Sequence, residues 1–139
     1  MKKIVVILLV LAILSCTLLT ACQKQEPLVI KDSDTYIVIK TTGQDVTDMT
    51  LMDYMTKLKD KGELEFTIKD GMITSINGID NPADYSSCWM LYTGDADNAN
   101  AAWGTVEYEG QEYGSAISGA ETLKIKADQI YIWVYKSFS

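Results

Sequence analysis

The chain has 139 residues, no histidine and no arginine, and its 12 lysines against 19 acids leave a net charge of −7. That length holds one domain once a targeting segment is set aside. An acidic surface without arginine offers no basic stripe to nucleic-acid phosphates, and a chain without histidine has no imidazole base for nucleophilic catalysis.

The first segment reads as an export signal. Met1-Lys2-Lys3 is a short positive start, Ile4 to Leu14 is an uncharged apolar run, and Leu19-Thr20-Ala21-Cys22 follows. Small residues just before a cut complete the three-part layout of a secretory signal. With leucine at minus three and cysteine directly after the small residues, the segment resembles the bacterial lipobox. The resemblance implies cleavage before Cys22 and diacylglycerol on its thiol, in preference to a plain signal peptide or an uncleaved membrane helix. Cys16 is the weaker second candidate. The expected location is therefore the extracytoplasmic face of a bacterial membrane, with residues 1–21 removed. Lys2 and Lys3 leave with the signal, so the mature part carries 10 lysines against 19 acids, about −9. Such a surface is repelled by anionic headgroups, and attachment rests on the acyl chains, of which two or more are needed for stability. Cys88 is then the one thiol left, and the domain has to stand on its core without a disulfide.

Residues 22–34 read as a polar tether, and residues 35–139 as the domain. Tyr36 to Thr41 is rich in β-branched residues and reads as a strand. The spacing predicts a helix over 50–61, capped by Thr50 with Asp53 three residues on. Its apolar stripe is Leu51, Met52, Met55 and Leu58, lysines crowd its last turns, and Gly62 stops it. The pattern is β from there. Leu64, Phe66 and Ile68 alternate with polar residues, Asp70-Gly71 marks a hairpin, Met72 to Ile76 returns, and Asn77-Gly78 turns again. Asp80-Asn81-Pro82 is a break, Cys88 to Tyr92 a buried strand, and Thr93 to Asn100 a polar loop. Thr105 to Tyr108 and Gln111 to Tyr113 flank Glu109-Gly110 as a further hairpin. Leu123 to Lys126 and Ile130 to Tyr135 close the chain as strands. The order predicts an α+β fold: a mixed or antiparallel sheet of β-grasp type with one helix on one face.

Thr50-Leu51-Met52-Asp53-Tyr54-Met55, Gly71 to Ile79 (GMITSINGI), Trp89-Met90-Leu91-Tyr92 and the terminal Ile130 to Tyr135 occur in an order that resembles the transcobalamin C-terminal-like domain, a family common in bacterial surface lipoproteins. The resemblance covers residues 50–139, most of the mature chain. Ala127-Asp128-Gln129 departs from the family's Gly-Asp turn before the last strand. What the resemblance implies is a β-grasp-like domain that binds a soluble ligand. In transcobalamin and intrinsic factor the related domain covers one face of cobalamin. Their large helical domain has no counterpart here, so this chain offers half of such a site at most.

The aromatic residues are the leading candidates for a site. In the last strand Tyr131, Trp133 and Tyr135 share one face, and Ile130, Ile132 and Val134 the other. The aliphatic face is expected to pack on the helix, which leaves the aromatic face to stack on a planar ligand, joined by Trp89, Tyr92, Trp103, Tyr108 and Tyr113. Taken singly, each is more often an ordinary sheet residue, because aromatics favour strands. Trp103 stands apart, beside Gly104 after a polar loop. Asp95-Ala96-Asp97-Asn98-Ala99-Asn100 carries oxygen ligands but fails the EF-hand pattern at its fifth and sixth positions and at Val106, where a closing Glu belongs. Glu107, Glu109 and Glu112 would suit a glycosidase only if two of them faced each other across a cleft. Cys88 has no histidine partner and reads as a small buried residue. Neither a zinc spacing nor a phosphate-binding glycine loop occurs. The expectation is a binding module without cofactor, metal or catalysis. It captures a small soluble ligand, a corrinoid among the options, for hand-over to a membrane transporter. The alternative is an envelope interaction or adhesion module without a small ligand.

Overall fold

The structure is a computed structural model that describes residues 25–138. The expected signal peptide 1–21, the expected lipidation site Cys22 and the second candidate Cys16 lie outside the described residues. Among those residues no helix is long and apolar enough to cross a membrane.

Among the described residues nine strands and one α-helix follow in chain order: β1 (Val29–Ser33), β2 (Tyr36–Lys40), α1 (Leu51–Asp60), β3 (Phe66–Lys69), β4 (Met72–Ile76), β5 (Ile79–Asp80), β6 (Ser87–Thr93), β7 (Ala99–Tyr108), β8 (Gln111–Ala116) and β9 (Ile130–Ser137). They form a six-stranded sheet in the order β1-β2-β9-β6-β8-β7 and a three-stranded sheet β3-β4-β5. Every pairing is antiparallel, so of the two sheet types expected it is the antiparallel one that forms. The fold is thus mostly antiparallel sheet with one helix, of α+β character.

Local chemistry explains the turns and the helix ends. Asp70-Gly71, Asn77-Gly78 and Glu109-Gly110 all have positive φ at both residues, as two-residue hairpins require to match the twist of their strands. Thr50 Oγ1 accepts from the Asp53 N–H at 3.1 Å, while the Asp53 carboxylate accepts from the Thr50 N–H at 3.0 Å, completing the capping box. At the other end Gly62, at φ +75°, lets the Glu63 N–H reach Leu58 O at 3.0 Å and its own N–H reach Lys59 O at 2.9 Å. Thr50→Ala is expected to cost about 1 kcal/mol, read as a lower urea midpoint at unchanged slope. The buried stripe is Leu51, Tyr54, Met55 and Leu58. Tyr54 takes the place expected of Met52, because its ring packs inward while its hydroxyl donates to Lys40 O at 2.8 Å.

Three further expectations are corrected. Val29–Ser33, assigned to the tether, is edge strand β1, paired with β2 from Val29↔Ile39 to Ser33↔Tyr36. Its polar residues face solvent at the sheet edge, which is why it reads as linker. Residues 123–126 form no strand beyond the single bridge Thr50↔Lys124. Instead Leu123 O and Ala120 O accept the otherwise orphaned N–H groups of Leu51 and Met52, both at 2.9 Å. Leu123 and Ile125 are buried beside the helix, so their alternation was real but serves a helix terminus. The loop expected over 93–100 ends early, in a short 3₁₀ turn at Ala96–Asn98, with β7 starting at Ala99.

The most consequential correction concerns the sheet faces. Tyr131 and Trp133 point toward the helix, into a core with Ile37, Ile39, Leu51, Met55 and Leu58. The aliphatic residues Ile132 and Val38 point the other way and pack with Tyr92, Tyr108 and Tyr113. That second face is closed because the sheet coils on itself. In a flat sheet β2 and β7 would lie about 19 Å apart, four strand spacings, beyond any tyrosine's reach. Here Tyr36 Oη donates to Glu107 O at 2.7 Å. Val38 and Ile132 fill the coiled face together with Tyr92, Tyr108 and Tyr113, and the space under the helix takes Tyr131 and Trp133.

Burial also sets a pH dependence. It pushes the Tyr54 phenol up to about 12 and raises those of Tyr131, Tyr36, Tyr113 and Tyr108. A phenol that ionises more easily when unfolded stabilises the fold below pH of about 10, and that stability is lost as pH rises through the folded value. Urea midpoints should therefore fall between about pH 10 and 12, and less steeply for Tyr54→Phe, since Tyr54's share of that loss is on the order of 2 kcal/mol.

Candidate functional site

The eight aromatic candidates do not share one surface. Tyr131 is fully buried, and its Oη accepts from the Lys126 N–H at 3.0 Å. Tyr92 and Tyr113 are buried in the coiled face. Tyr135 is half-buried, donates to Asp80 O at 2.9 Å, and packs against Trp89 with ring centroids 5.3 Å apart. Trp103 is 65% exposed, on a bulge of edge strand β7 where pairing skips from Asn100 to Thr105. Trp133 and Trp89, 4% and 5% exposed, are the two of the eight that reach a cleft.

That cleft, of about 380 Å³, lies between the two sheets. Residues 88–91 of β6 border it along the strand's edge, and residues 115–120 form the opposite side. Trp133 and Trp89 contribute to its inner wall, and Met72, Tyr85 and Ile117 stand at its mouth. Those three are 57%, 62% and 48% exposed, half of the large apolar side chains left open to solvent among the described residues. Their concentration around one opening is the feature of a site, since lone exposed apolar residues are ordinary. Tyr85 is held at φ +54°, a left-handed conformation that a bulky residue adopts at a cost on the order of 1–3 kcal/mol.

Polar groups in the cleft are few. The Trp89 indole donates to Ile79 O at 2.8 Å, whereas the buried Trp133 Nε1 has no partner among the described residues. Asn81 clips the two sheets together: its Oδ1 accepts from the Trp89 N–H at 3.0 Å, and its Nδ2 donates to Ile73 O at 3.1 Å. No charged side chain lines the cleft. Cys88 is half-buried on its border, and burial raises its thiol pKa, so it is a poor nucleophile at neutral pH. A larger hollow of about 470 Å³ beside Gln25–Val29 is walled by half-buried Gln44 and exposed Lys61 and Glu63, among others.

The remaining candidates fall elsewhere. Asp95 Oδ1 and Asp97 Oδ2 share the Lys126 ammonium at 2.8 and 2.7 Å. Burial opposes ionisation of Asp95, but bonds from Lys126, Asn98 and the Asp97 N–H outweigh it and hold its pKa below the usual carboxylate value. The loop's acids thus serve as a latch between residues 95–97 and 126. Glu107 and Glu112 are direct cross-strand neighbours, both exposed, and Glu109 is exposed at the turn. They do not face each other across a cleft, which is what a glycosidase pair requires.

Sequence reasoning missed Met72, Tyr85 and Ile117. The available signal was an apolar residue inside a breaker-rich stretch, as in Asp84-Tyr85-Ser86 and Ser115-Ala116-Ile117-Ser118-Gly119. No family model, curated protein or solved structure matches the chain.

Proposed function

We propose that this protein is a lipid-anchored, extracytoplasmic binding module, without catalysis of its own, that captures a small soluble ligand in the cleft between its two sheets. The carrying observation is the conjunction of exposed Met72, Tyr85 and Ile117 around an uncharged cleft with the unpartnered indole N–H of Trp133 on its wall. An apolar pocket with few convergent polar groups is the usual form of a small-ligand site, and this volume is at the small end of the range. Kinship with the transcobalamin C-terminal-like, β-grasp-like family remains part of the proposal. It is supported by the quoted motifs and by a helix set on one face of a sheet. It puts corrinoids among the ligands to test, with the cleft gripping one edge of the ring. Anchoring through Cys22 would hold the domain beside a membrane transporter able to receive the ligand.

The experiment is a titration of intrinsic tryptophan fluorescence with cyanocobalamin and a panel of neutral small ligands. Trp89 and Trp133 border the cleft, so binding is expected to quench them saturably. Ile117→Asp, a change at an exposed position, is expected to weaken binding at least about tenfold by placing a charge at the apolar mouth. No response to any ligand overturns the reading. The second reading, an envelope interaction module, is favoured by Trp103, a solvent-exposed indole on the outermost strand of the sheet. It predicts a partner captured from envelope extracts by the wild type and lost with Trp103→Ala.

A further inference from the structure

The cleft owes its position to a break in strand pairing. β6 pairs with β9 along its whole length, from Ser87↔Ser137 to Thr93↔Tyr131. On its other side it pairs with β8 only at Tyr92↔Ser115 and Thr93↔Gly114, after which the chain over 116–120 leaves the ladder. In an antiparallel strand the N–H and C=O of one residue point to the same side, and the side alternates along the chain. The Trp89 N–H is turned away from β9, since it donates to Asn81. Trp89 C=O and Leu91 N–H therefore face the cleft, and no strand of the described residues pairs with them there. The gap is short, closed by the Asn81 clip at one end and the Ser115 pairing at the other. Four successive residues of β6 border the cleft although their side chains alternate between faces, as a strand presenting its edge must do.

An open strand edge is a template for another extended chain. The charges narrow the ligand further. The lining is uncharged, while exposed Asp70, Asp84 and Glu121 adjoin the lining residues Gly71, Tyr85 and Ala120. Gly71 also sits so close to the Glu121 carboxylate that a Cβ there would overlap it, which places that acid at the rim. Fatty acids and phosphorylated ligands are disfavoured on both counts.

Taking the cleft as a binding site, as proposed above, we infer that its ligand is a short peptide segment in extended conformation, neutral or cationic. It pairs through its backbone with Trp89 C=O and Leu91 N–H and lays apolar side chains between Ile117 and Trp133. An extended peptide presents a backbone donor and acceptor at the strand spacing that these two groups require.

The test follows the backbone amides of the ¹⁵N-labelled protein by NMR. The probes are acetyl-Val-Lys-Val-amide, the same peptide with its central nitrogens methylated, acetyl-Val-Glu-Val-amide and cyanocobalamin. The lysine peptide is expected to shift the Leu91 amide and slow its exchange with solvent. Methylation and the Lys-to-Glu exchange are each expected to weaken binding about tenfold. An unmoved Leu91 amide, or equal binding of the methylated peptide, overturns the inference. If cyanocobalamin or the neutral panel saturates the cleft while the peptides do not, the peptide class fails and the binding reading stands. If nothing binds, both fail.

Discussion

Tyr131→Ala is expected to destabilise the domain by about 3–5 kcal/mol, the range for emptying the site of a large buried aromatic residue. The ring is fully buried between β9 and the helix, among Ile37, Ile39 and Leu51. Its hydroxyl is also the acceptor for the Lys126 N–H, so truncation leaves a backbone donor unpaired beside the cavity. Lys126 in turn bridges Asp95 and Asp97, and the damage spreads to the turn before β7. Since native domains retain only about 5–15 kcal/mol, the variant approaches the threshold of folding. Trp103→Ala is the contrasting case. Its side chain is 65% exposed, and the change is expected to stay within about 0.5 kcal/mol. Urea unfolding followed by circular dichroism separates the two. Equal midpoints would mean that Tyr131 does not face the helix.

Asn81→Ala should cost about 2 kcal/mol and loosen the seam between the sheets. The substitution removes the acceptor of the Trp89 N–H and the donor to Ile73 O, and Trp89 and Ile73 are both buried. Each group left unpaired is penalised by about 1–3 kcal/mol, reduced here because the cleft admits water. Hydrogen exchange in β3–β5 is expected to accelerate more than exchange in β9, since the clip joins the small sheet to the large one. Asn81→Asp gives the complementary result. A carboxylate keeps an acceptor for the Trp89 N–H but turns a negative oxygen on Ile73 O, whereas a protonated carboxyl can donate there. Its folded pKa is then raised above the unfolded value of about 3.9. The restored contact is therefore present at low pH and lost as pH rises through the folded pKa. A stability profile for Asn81→Asp that rises with pH would remove Asn81 from the seam.

Much of the local structure was readable from the residues. Asp70-Gly71, Asn77-Gly78 and Glu109-Gly110 demanded left-handed backbone between alternating segments, and each became a hairpin. Thr50 and Asp53 announced the helix start with a reciprocal pair of bonds that involve no distant residue. The alternation of β9 was also correct: Tyr131, Trp133 and Tyr135 do share a face. Period two states which side chains lie together and is silent on which face meets the helix. Both faces of β9 are apolar, so the pattern alone had no preference.

That choice belonged to the tertiary structure. The pocket beneath α1 accepts rings, and a backbone N–H from residue 126 waits there for the Tyr131 hydroxyl. The opposite face coils until Tyr36 meets Glu107, and packs Val38 and Ile132 against Tyr92, Tyr108 and Tyr113. β1 was hidden for a related reason: an edge strand with polar residues outward has the composition of a linker until β2 pairs with it. The cleft was the least readable of all. Met72, Tyr85 and Ile117 lie in three separate segments, and the open edge of β6 exists because residues 116–120 turn away from it. By itself the sequence determined the turns, the caps and the alternation of the strands. The facing of the core, the coil of the sheet and the cleft came only with tertiary structure, because each depends on the fit between surfaces distant in the chain, which no local spacing records.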